Sequence, residues 1–192
     1  MADSKVSALA AVTVIGAADD MYVSVAGASK RITGANARLA MAPSYAKVSE
    51  QQAQNTNGGT FTSGAWRTRT LNTEDSDVDG VLTLASNQIT LSAGTYECRI
   101  RCPVFRVGRH QARLYNVTDT SLVLLGASGA FSTNGSDTAS SDAWISGKFT
   151  IAASKALEVQ HICETTYTPY GFGVTGNFTT EIYAEAEFWK VG

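Results

Sequence analysis

Two histidines are the side chains of this chain best suited to acid–base chemistry, and neither stands in a pattern that indicates catalysis. His110 and His161 each fall inside an alternation of apolar and polar residues that is typical of a strand. The sequence has no Gly-x-Ser-x-Gly motif for a nucleophilic serine, and no glycine-rich loop leads into a helix that would hold a phosphate. These patterns predict a protein that is not an enzyme and that carries no cofactor.

An acidic run offers a pattern that could bind a metal. Asp75, Asp77, Asp79 and Gly80 have the spacing of the first half of a calcium-binding loop. The twelfth position of that loop would be Ser86, where calcium needs a bidentate Glu, and no helical pattern flanks the run. We interpret the run as a solvated acidic turn and keep its three aspartates only as weak metal candidates.

The three cysteines do not form a disulfide framework. Cys98 and Cys102 would lie about 13 Å apart on one strand, which is beyond the reach of a disulfide. Cys163 leaves the number odd. The pattern predicts buried thiols in a protein made in a reducing cytoplasm.

Composition excludes several further classes. With 44% hydrophobic and 17% charged residues and a net charge of −2, the chain is neither typical of disorder nor basic enough to bind a nucleic-acid backbone. No apolar run reaches about 18 residues, so we expect no membrane insertion. A length of 192 residues is enough for one domain with a buried core and a small additional segment.

Residues 45–192 read as strands throughout. In the run 94–102, Tyr96, Cys98, Ile100 and Cys102 share one face, and in the run 180–189 Ile182, Ala184, Ala186 and Phe188 do the same. Further alternating runs lie at 110–116, 144–151 and 156–161, with shorter ones at 66–71, 81–84, 88–91 and 121–125. Eight to ten antiparallel strands of this kind predict an all-β sandwich or jelly roll.

Residues 1–44 form a separate region with one aromatic residue, Tyr22. The pattern predicts a strand at 21–25, a turn and a return strand through Ile32. It also predicts a short helix at 34–41 with Thr33 as its N-cap. A hairpin and one short helix are too small to support a core, so we expect this region to dock on a partner.

This first region resembles the N-terminal segment of phage fibre and tail-associated proteins. The similarity rests on residues 5–9, 20–25 and 30–33, while the pair at 21–22 and the Ala-rich stretch 8–18 depart from the usual pattern. In that family the segment anchors the protein to the virion. The resemblance implies a virion anchor at Val6, Leu9, Tyr22, Val23, Val25 and Ile32.

The second region resembles the tumour-necrosis-factor-like jelly roll, which is also that of the complement globular heads. The similar segments are residues 80–84, 89–96 and 113–116, together with the closing strand that ends at Phe188 and Trp189. Members of that family are typically homotrimers packed about a three-fold axis through one sheet face. The resemblance therefore implies self-association.

Charged and aromatic residues on the polar strand faces have two interpretations. They form either a solvated sheet face with compensating charges or a subunit interface in which Arg and Glu pair across chains and aromatic residues act as anchors. The interface candidates are Arg99, Arg101, Arg113, Tyr115, Tyr183 and Trp189.

A loop at residues 165–173 concentrates aromatic residues beside glycines. Tyr167, Tyr170 and Phe172 either contact a host receptor or glycan or close the end of the sandwich. The pattern favours the second interpretation.

Together these features predict a non-enzymatic phage virion protein: a short trimeric tail fibre or tail-associated appendage for host attachment. A head fibre or capsid decoration protein is the first alternative, and a carbohydrate-binding module is the second. The expected partners are further copies of the chain, other virion proteins and a host surface receptor or glycan.

Overall fold

The computed structural model describes residues 20–25, 28–33, 42–131 and 140–192. The chain divides into two compact units, Met1–Ala42 and Pro43–Gly192. In the first unit, strands β1 (Asp20–Val25) and β2 (Ala28–Thr33) form an antiparallel hairpin in which Asp20 lies opposite Thr33. The predicted strand and its return are therefore present. The predicted helix at 34–41 and the anchor residues Val6 and Leu9 lie outside the described residues.

The second unit consists of strands joined by turns and loops. These are β3 (Ser44–Gln52), β4 (Arg67–Thr68), β5 (Thr73–Asp77), β6 (Leu82–Ala85), β7 (Gln88–Leu91), β8 (Gly94–Val104), β9 (Gly108–Asn116), β10 (Ser121–Phe131), β11 (Ser141–Ile151), β12 (Lys155–Cys163) and β13 (Glu181–Lys190).

The strands of the second unit form two antiparallel sheets. The five-stranded sheet has the order β11-β8-β13-β3-β5, and the other has the order β10-β9-β12-β7-β6, with β4 pairing to β12. The unit is an all-β jelly-roll sandwich, as the strand pattern predicted. No helix among the described residues has the length and hydropathy needed to cross a membrane.

The sandwich has two ends that differ in their loops. At the end we call proximal, the chain enters β3 at Ser44, which lies opposite Lys190 near the end of β13. At the distal end, Gln52 lies opposite Glu181, and Val104 of β8 lies opposite Ser141 of β11. The connections at 53–66 and 164–180 both leave from distal strand ends.

The core lies between the sheets and follows the predicted alternation. Tyr96, Cys98, Ile100 and Cys102 are all buried on β8, and they pack with apolar residues of the opposite sheet such as Leu114. All three cysteines are free and buried, as expected. Burial raises the pKa of the Cys102 thiol to about 11, so this side chain stays protonated at neutral pH.

The alternation fails at the start of β13. Ile182 pairs with Gln51 of β3 and Glu185 pairs with Ser49, so three steps along β13 match two along β3 and one extra residue interrupts the register there. Consequently Ile182 is 46% exposed and Tyr183 only 4% exposed. The prediction that Ile182 shares a face with Ala184, Ala186 and Phe188 is wrong, because periodicity alone does not reveal a bulge.

Other strand limits also differ from the prediction. β3 and β5 were not predicted, β4 is shorter than the run 66–71, and β10 extends six residues beyond the run 121–125. In β10, Gly126 lies against the backbone of β11, where an added Cβ would approach the Trp144 carbonyl to 2.6 Å. The small residues that hid this strand from the periodicity are the ones that allow the close approach of β10 and β11.

Candidate interaction surfaces

The acidic run is part strand and part turn, and its carboxylates are used within the protein. Asp77 accepts hydrogen bonds from the backbone N–H groups of Val81 and Leu82, each at 2.9 Å, and Asp75 accepts one from Gln51. Among the described residues, no group of three or more metal-ligating side chains comes together. Asp75 and Asp77 are therefore structural, and the turn that carries Asp79 begins only after β5.

The structure brings the two histidines together. His110 Nδ1 lies 3.1 Å from His161 Nε2, and His110 Nε2 lies 3.2 Å from Ser141 Oγ. Both rings are buried, and burial lowers the pKa of each below its ordinary value, so both are neutral at pH 7. No sequence signal links residues 51 positions apart on two different strands.

A buried ion pair lies beside the histidines and was not predicted. Arg69 Nη2 donates to Glu50 Oε2 at 3.2 Å, and both side chains are buried. The Arg69 guanidinium also donates to the carbonyl oxygens of Pro103 and Phe172 and lies 4.3 Å from the centroid of the Phe172 ring. This residue therefore ties β3, β8 and the distal loop together from inside.

On the five-stranded sheet, the candidate arginines pair within one chain. Arg99 lies 2.7 Å from Glu187, and Arg101 lies 3.0 Å from Glu185. Glu185 also accepts a hydrogen bond from Lys47 at 2.8 Å. The charges compensate locally, which agrees with a solvated sheet face and leaves no arginine here in need of a carboxylate from a second chain.

The six interface candidates do not form one surface. Arg99, Arg101 and Trp189 lie on the five-stranded sheet, whereas Arg113 and Tyr115 lie on β9 of the other sheet. Tyr183 is buried and donates a hydrogen bond to the Thr56 carbonyl at 2.7 Å. Because so little of its side chain is exposed, Tyr183 cannot serve as an aromatic anchor between subunits.

An exposed apolar edge, which sequence reasoning missed, lies where β10 meets β11. Leu122 and Leu125 on β10 are each more than half exposed, and Trp144 on β11 is 44% exposed. Leu124 packs over Gly147 of β11, which holds the two strands together. Large apolar side chains in this position are typical of a surface that is covered by a partner.

The aromatic residues of the distal loop pack against the protein. Phe61, Val104, Val107 and Cys163 form a small buried group, which we call the distal cluster, and Tyr167 and Phe172 pack against it. The Phe61 and Phe172 rings stack at 4.2 Å, and Tyr170 makes an edge contact with Phe105. The geometry supports the interpretation that Tyr167, Tyr170 and Phe172 close the end of the sandwich.

A different aromatic residue of the same loop points to solvent. Phe178 is 90% exposed, and the turn that precedes it is held by the carboxylate of Glu181. That carboxylate accepts hydrogen bonds from the Thr175 hydroxyl and from the backbone N–H groups of Gly176 and Asn177. These donors lower the pKa of Glu181 to about 2, so the turn is held at every ordinary pH. The signal for this site was the Gly-Asn turn before Phe178, which sequence reasoning passed over.

Comparisons with known proteins address the fold. No family model and no curated protein matched the sequence. Among solved structures, Eiger TNF from S. frugiperda is similar with a TM-score of 0.51 at 9% identity, over 79% of this chain and 94% of that chain. This similarity shows a tumour-necrosis-factor-like fold.

Two further solved structures have a TM-score of 0.49 and 14% identity. The globular domain of zebrafish complement 1qA protein matches over 78% of this chain and 98% of that chain. PRD1 vertex protein P5 matches over 79% and 99%, respectively. The expectation of a jelly roll of the tumour-necrosis-factor type, drawn from the sequence, is confirmed for the fold by the similarity to Eiger TNF.

Proposed function

We propose that the protein is a non-enzymatic virion structural protein of a phage, a short trimeric tail fibre or tail-associated appendage that contacts the host. The observation that carries this proposal is the position of Phe178. It stands exposed on a fixed turn at the end of the sandwich opposite to the one where the chain enters.

The two ends of the sandwich suit the two ends of an appendage. The N-terminal unit, whose sequence resembles a virion anchor, is joined to the sandwich through Pro43 and Ser44 at the proximal end. In this proposal the loops that leave the distal end contact the host surface. In this arrangement Ile32 and the β1 residues Tyr22, Val23 and Val25 act in anchoring.

A fixed aromatic side chain is a favourable contact group. Ordering a loop on binding costs conformational entropy, and a loop that is already held by hydrogen bonds avoids most of that cost. Phe178 adds a large apolar surface that is desolvated only when a partner covers it. The partly buried residues Tyr167, Tyr170 and Phe172 then support the loop rather than touch the host.

Self-association uses the exposed apolar edge of β10 and β11 in this proposal. Leu122, Leu125 and Trp144 supply apolar surface, whereas the charged face beside them is already paired within the chain. Sedimentation equilibrium is expected to give the mass of three chains of 20.3 kDa. The variant Leu122→Glu/Leu125→Glu is expected to give one chain with unchanged circular dichroism, and a monomeric parent protein would contradict the trimer.

Competition for adsorption tests the attachment role. Excess purified protein is expected to slow adsorption of the phage that encodes it, and Phe178→Ser is expected to lose this effect. Val78→Ser is the matched control, because Val78 is 91% exposed in the turn after β5 at the proximal end. An unchanged adsorption rate with the parent protein would contradict host attachment.

Immunogold labelling of whole particles separates the tail from the head. We expect the label at the tail. Labelling over the capsid surface would replace the tail assignment with the head fibre or capsid decoration alternative, and particles without label would contradict a virion protein altogether.

A further inference from the structure

The solvent face of β9 and β12 carries four facing pairs of side chains in a row. Along the row, Arg109 lies beside Glu164, Gln111 opposite Ile162, Arg113 opposite Gln160, and Tyr115 opposite Glu158. Successive pairs are two residues apart, so the row extends over about 20 Å. We call these eight residues the β9–β12 strip.

One end of the strip contains a groove. Its volume is about 570 Å³, and residues of β9, β10 and β12 line it, a volume within the range of about 300–1,000 Å³ that is typical of small-ligand sites. β10 contributes only Ser128, Gly129 and Ala130, directly after the register shift between Leu125 and Ser128. Because these side chains are small, β10 leaves the groove open.

The middle of the strip is a platform of aromatic and planar polar groups. The Arg113 guanidinium lies 4.2 Å from the Trp66 ring centroid and 4.4 Å from that of Tyr115. Its Nε and Nη2 both donate to Gln160 Oε1, at 2.9 and 2.7 Å. Stacking and hydrogen bonds together fix the guanidinium in one orientation.

Hydrogen bonds continue from Gln160 to the other end of the strip. Gln160 Nε2 donates to Glu158 at 2.8 Å, and the same carboxylate accepts hydrogen bonds from Thr68 and Gln88. The polar side chains are thus positioned by one another before any ligand arrives. Such positioning lowers the cost of binding a ligand that has many hydroxyl groups.

The charges of the strip cancel. Arg109 pairs with Glu164, and Arg113 is balanced by Glu158 through Gln160. Apolar surface is limited to Ile162 and the two aromatic rings, so the strip suits neither a polyanion nor an apolar protein partner. Aromatic rings beside amide, carboxylate and guanidinium groups fit a pyranose, which has an apolar C–H face and hydroxyl groups around its edge.

We infer that the β9–β12 strip binds a neutral oligosaccharide, with one sugar in the groove and the following sugars over Trp66, Arg113 and Tyr115. This site lies apart from Phe178 and goes beyond the proposed function, because saccharide binding would stand whether or not the protein belongs to a virion.

An array of neutral hexose and N-acetylhexosamine oligosaccharides, printed beside sulfated ones, tests the inference. The full-length protein is expected to bind at least one neutral oligosaccharide, with the dissociation constant then measured by calorimetry. Trp66→Ala is expected to weaken that binding at least tenfold. Val78→Ala is the control, since it removes exposed apolar surface in the turn after β5, outside both the strip and the β10–β11 edge, and is expected to leave the constant within twofold.

Gln160→Ala and Gln111→Ala repeat the test with smaller side-chain losses, so the inference stays testable if Trp66→Ala does not fold. Each is expected to weaken binding several-fold. Absence of neutral-oligosaccharide binding, binding confined to sulfated oligosaccharides, or binding that all three strip variants leave unchanged would overturn the inference. None of these results bears on adsorption or particle labelling, so the two proposals fail separately.

Discussion

The main core and the surroundings of the distal cluster contain different kinds of side chain. The main core between the sheets consists of apolar side chains such as Ile100, Ile145 and Leu157. Beside the distal cluster lie a buried ion pair, Arg69 with Glu50, and the neutral pair of His110 and His161. The main core is stabilised chiefly by apolar burial, whereas the distal end also depends on charge states.

This difference follows from the length of the connections in each region. Strands of the main core are joined by short turns, as at Ser86 and Asn87, where a positive φ closes the chain within two residues. The distal end holds long loops, whose backbones pair with one another only at isolated points such as Phe61 with Tyr167. Arg69 donates to two carbonyl oxygens at this end, that of Phe172 in a loop and that of Pro103 on β8, and thereby costs less than an unpaired buried charge would.

The largest expected effect comes from breaking the buried ion pair. Glu50→Gln leaves the Arg69 charge without its carboxylate, and we expect the free energy of unfolding in urea to fall by about 3–5 kcal/mol. Ile145→Val in the main core is the comparison variant, with an expected loss of about 0.5–1.5 kcal/mol. A loss for Glu50→Gln no larger than that for Ile145→Val would remove the distinction between the two regions.

The second-largest expected effect is a loss of folding stability in acid, caused by the two histidines near the distal end. The pKa values of His110 and His161 are lowered in the folded protein, so the unfolded chain takes up protons first as the pH falls below about 6.5. The stability that the neutral rings provide is complete above that pH and is lost below it, by at most about 1.4 kcal/mol per pH unit for each ring.

Denaturant titrations of the parent protein and of His110→Asn/His161→Asn between pH 7.5 and 5 measure this loss. The parent is expected to show the steeper decline. Equal slopes for the two proteins would mean that the histidine pair has no part in the acid response.

A smaller effect is expected on the charged face of the five-stranded sheet. Arg101 is partly exposed and pairs with Glu185 and Asp142, so Arg101→Ala should cost about 0.2–1 kcal/mol, less in high salt. Urea titration at low and high sodium chloride measures both values. A cost as large as that of Glu50→Gln would show that this face is not a simple solvated surface.

The last effect should be local. Glu181→Gln removes the charge that holds the turn before Phe178, and we expect faster amide hydrogen exchange at Gly176 and Asn177 with little change in global stability. In the parent protein the same loosening should develop as the pH falls from about 4.5 towards 2. The Glu181 carboxylate takes up a proton near pH 4.5 when the turn is open, but only near pH 2 when the turn is formed, so the stabilisation of the turn is lost over this range. Glu187→Gln is the control, and equal exchange in both variants would contradict the role of Glu181.

Local patterns predicted the parts of the fold that local physics determines. The alternation in β8, β9 and β12 identified strands and their buried faces, because a period of two is imposed by the backbone. The same rule failed at Tyr183, where a bulge depends on the pairing with β3. β3 itself was missed because the buried Glu50 and Ser49 read as polar positions.

The candidate surfaces were harder to predict for the same reason. Pairing of Arg69 with Glu50, and of His110 with His161, joins residues far apart in sequence. Whether an aromatic residue closes an end or faces solvent depends on the loop opposite it, as Phe172 against Phe61 illustrates. Sequence pattern placed Phe172 in the loop at 165–173, left Phe178 outside it, and could not distinguish their environments.

The proximal position of the last residues has a practical consequence for display engineering. Val191 and Gly192 form backbone hydrogen bonds with Thr95, at the same end of the sandwich as Ser44. A peptide appended after Gly192 would therefore emerge beside the junction with the first unit. If the distal end faces outward as proposed, cargo belongs in a distal connection, and Gly64 and Ala65 form one exposed stretch there.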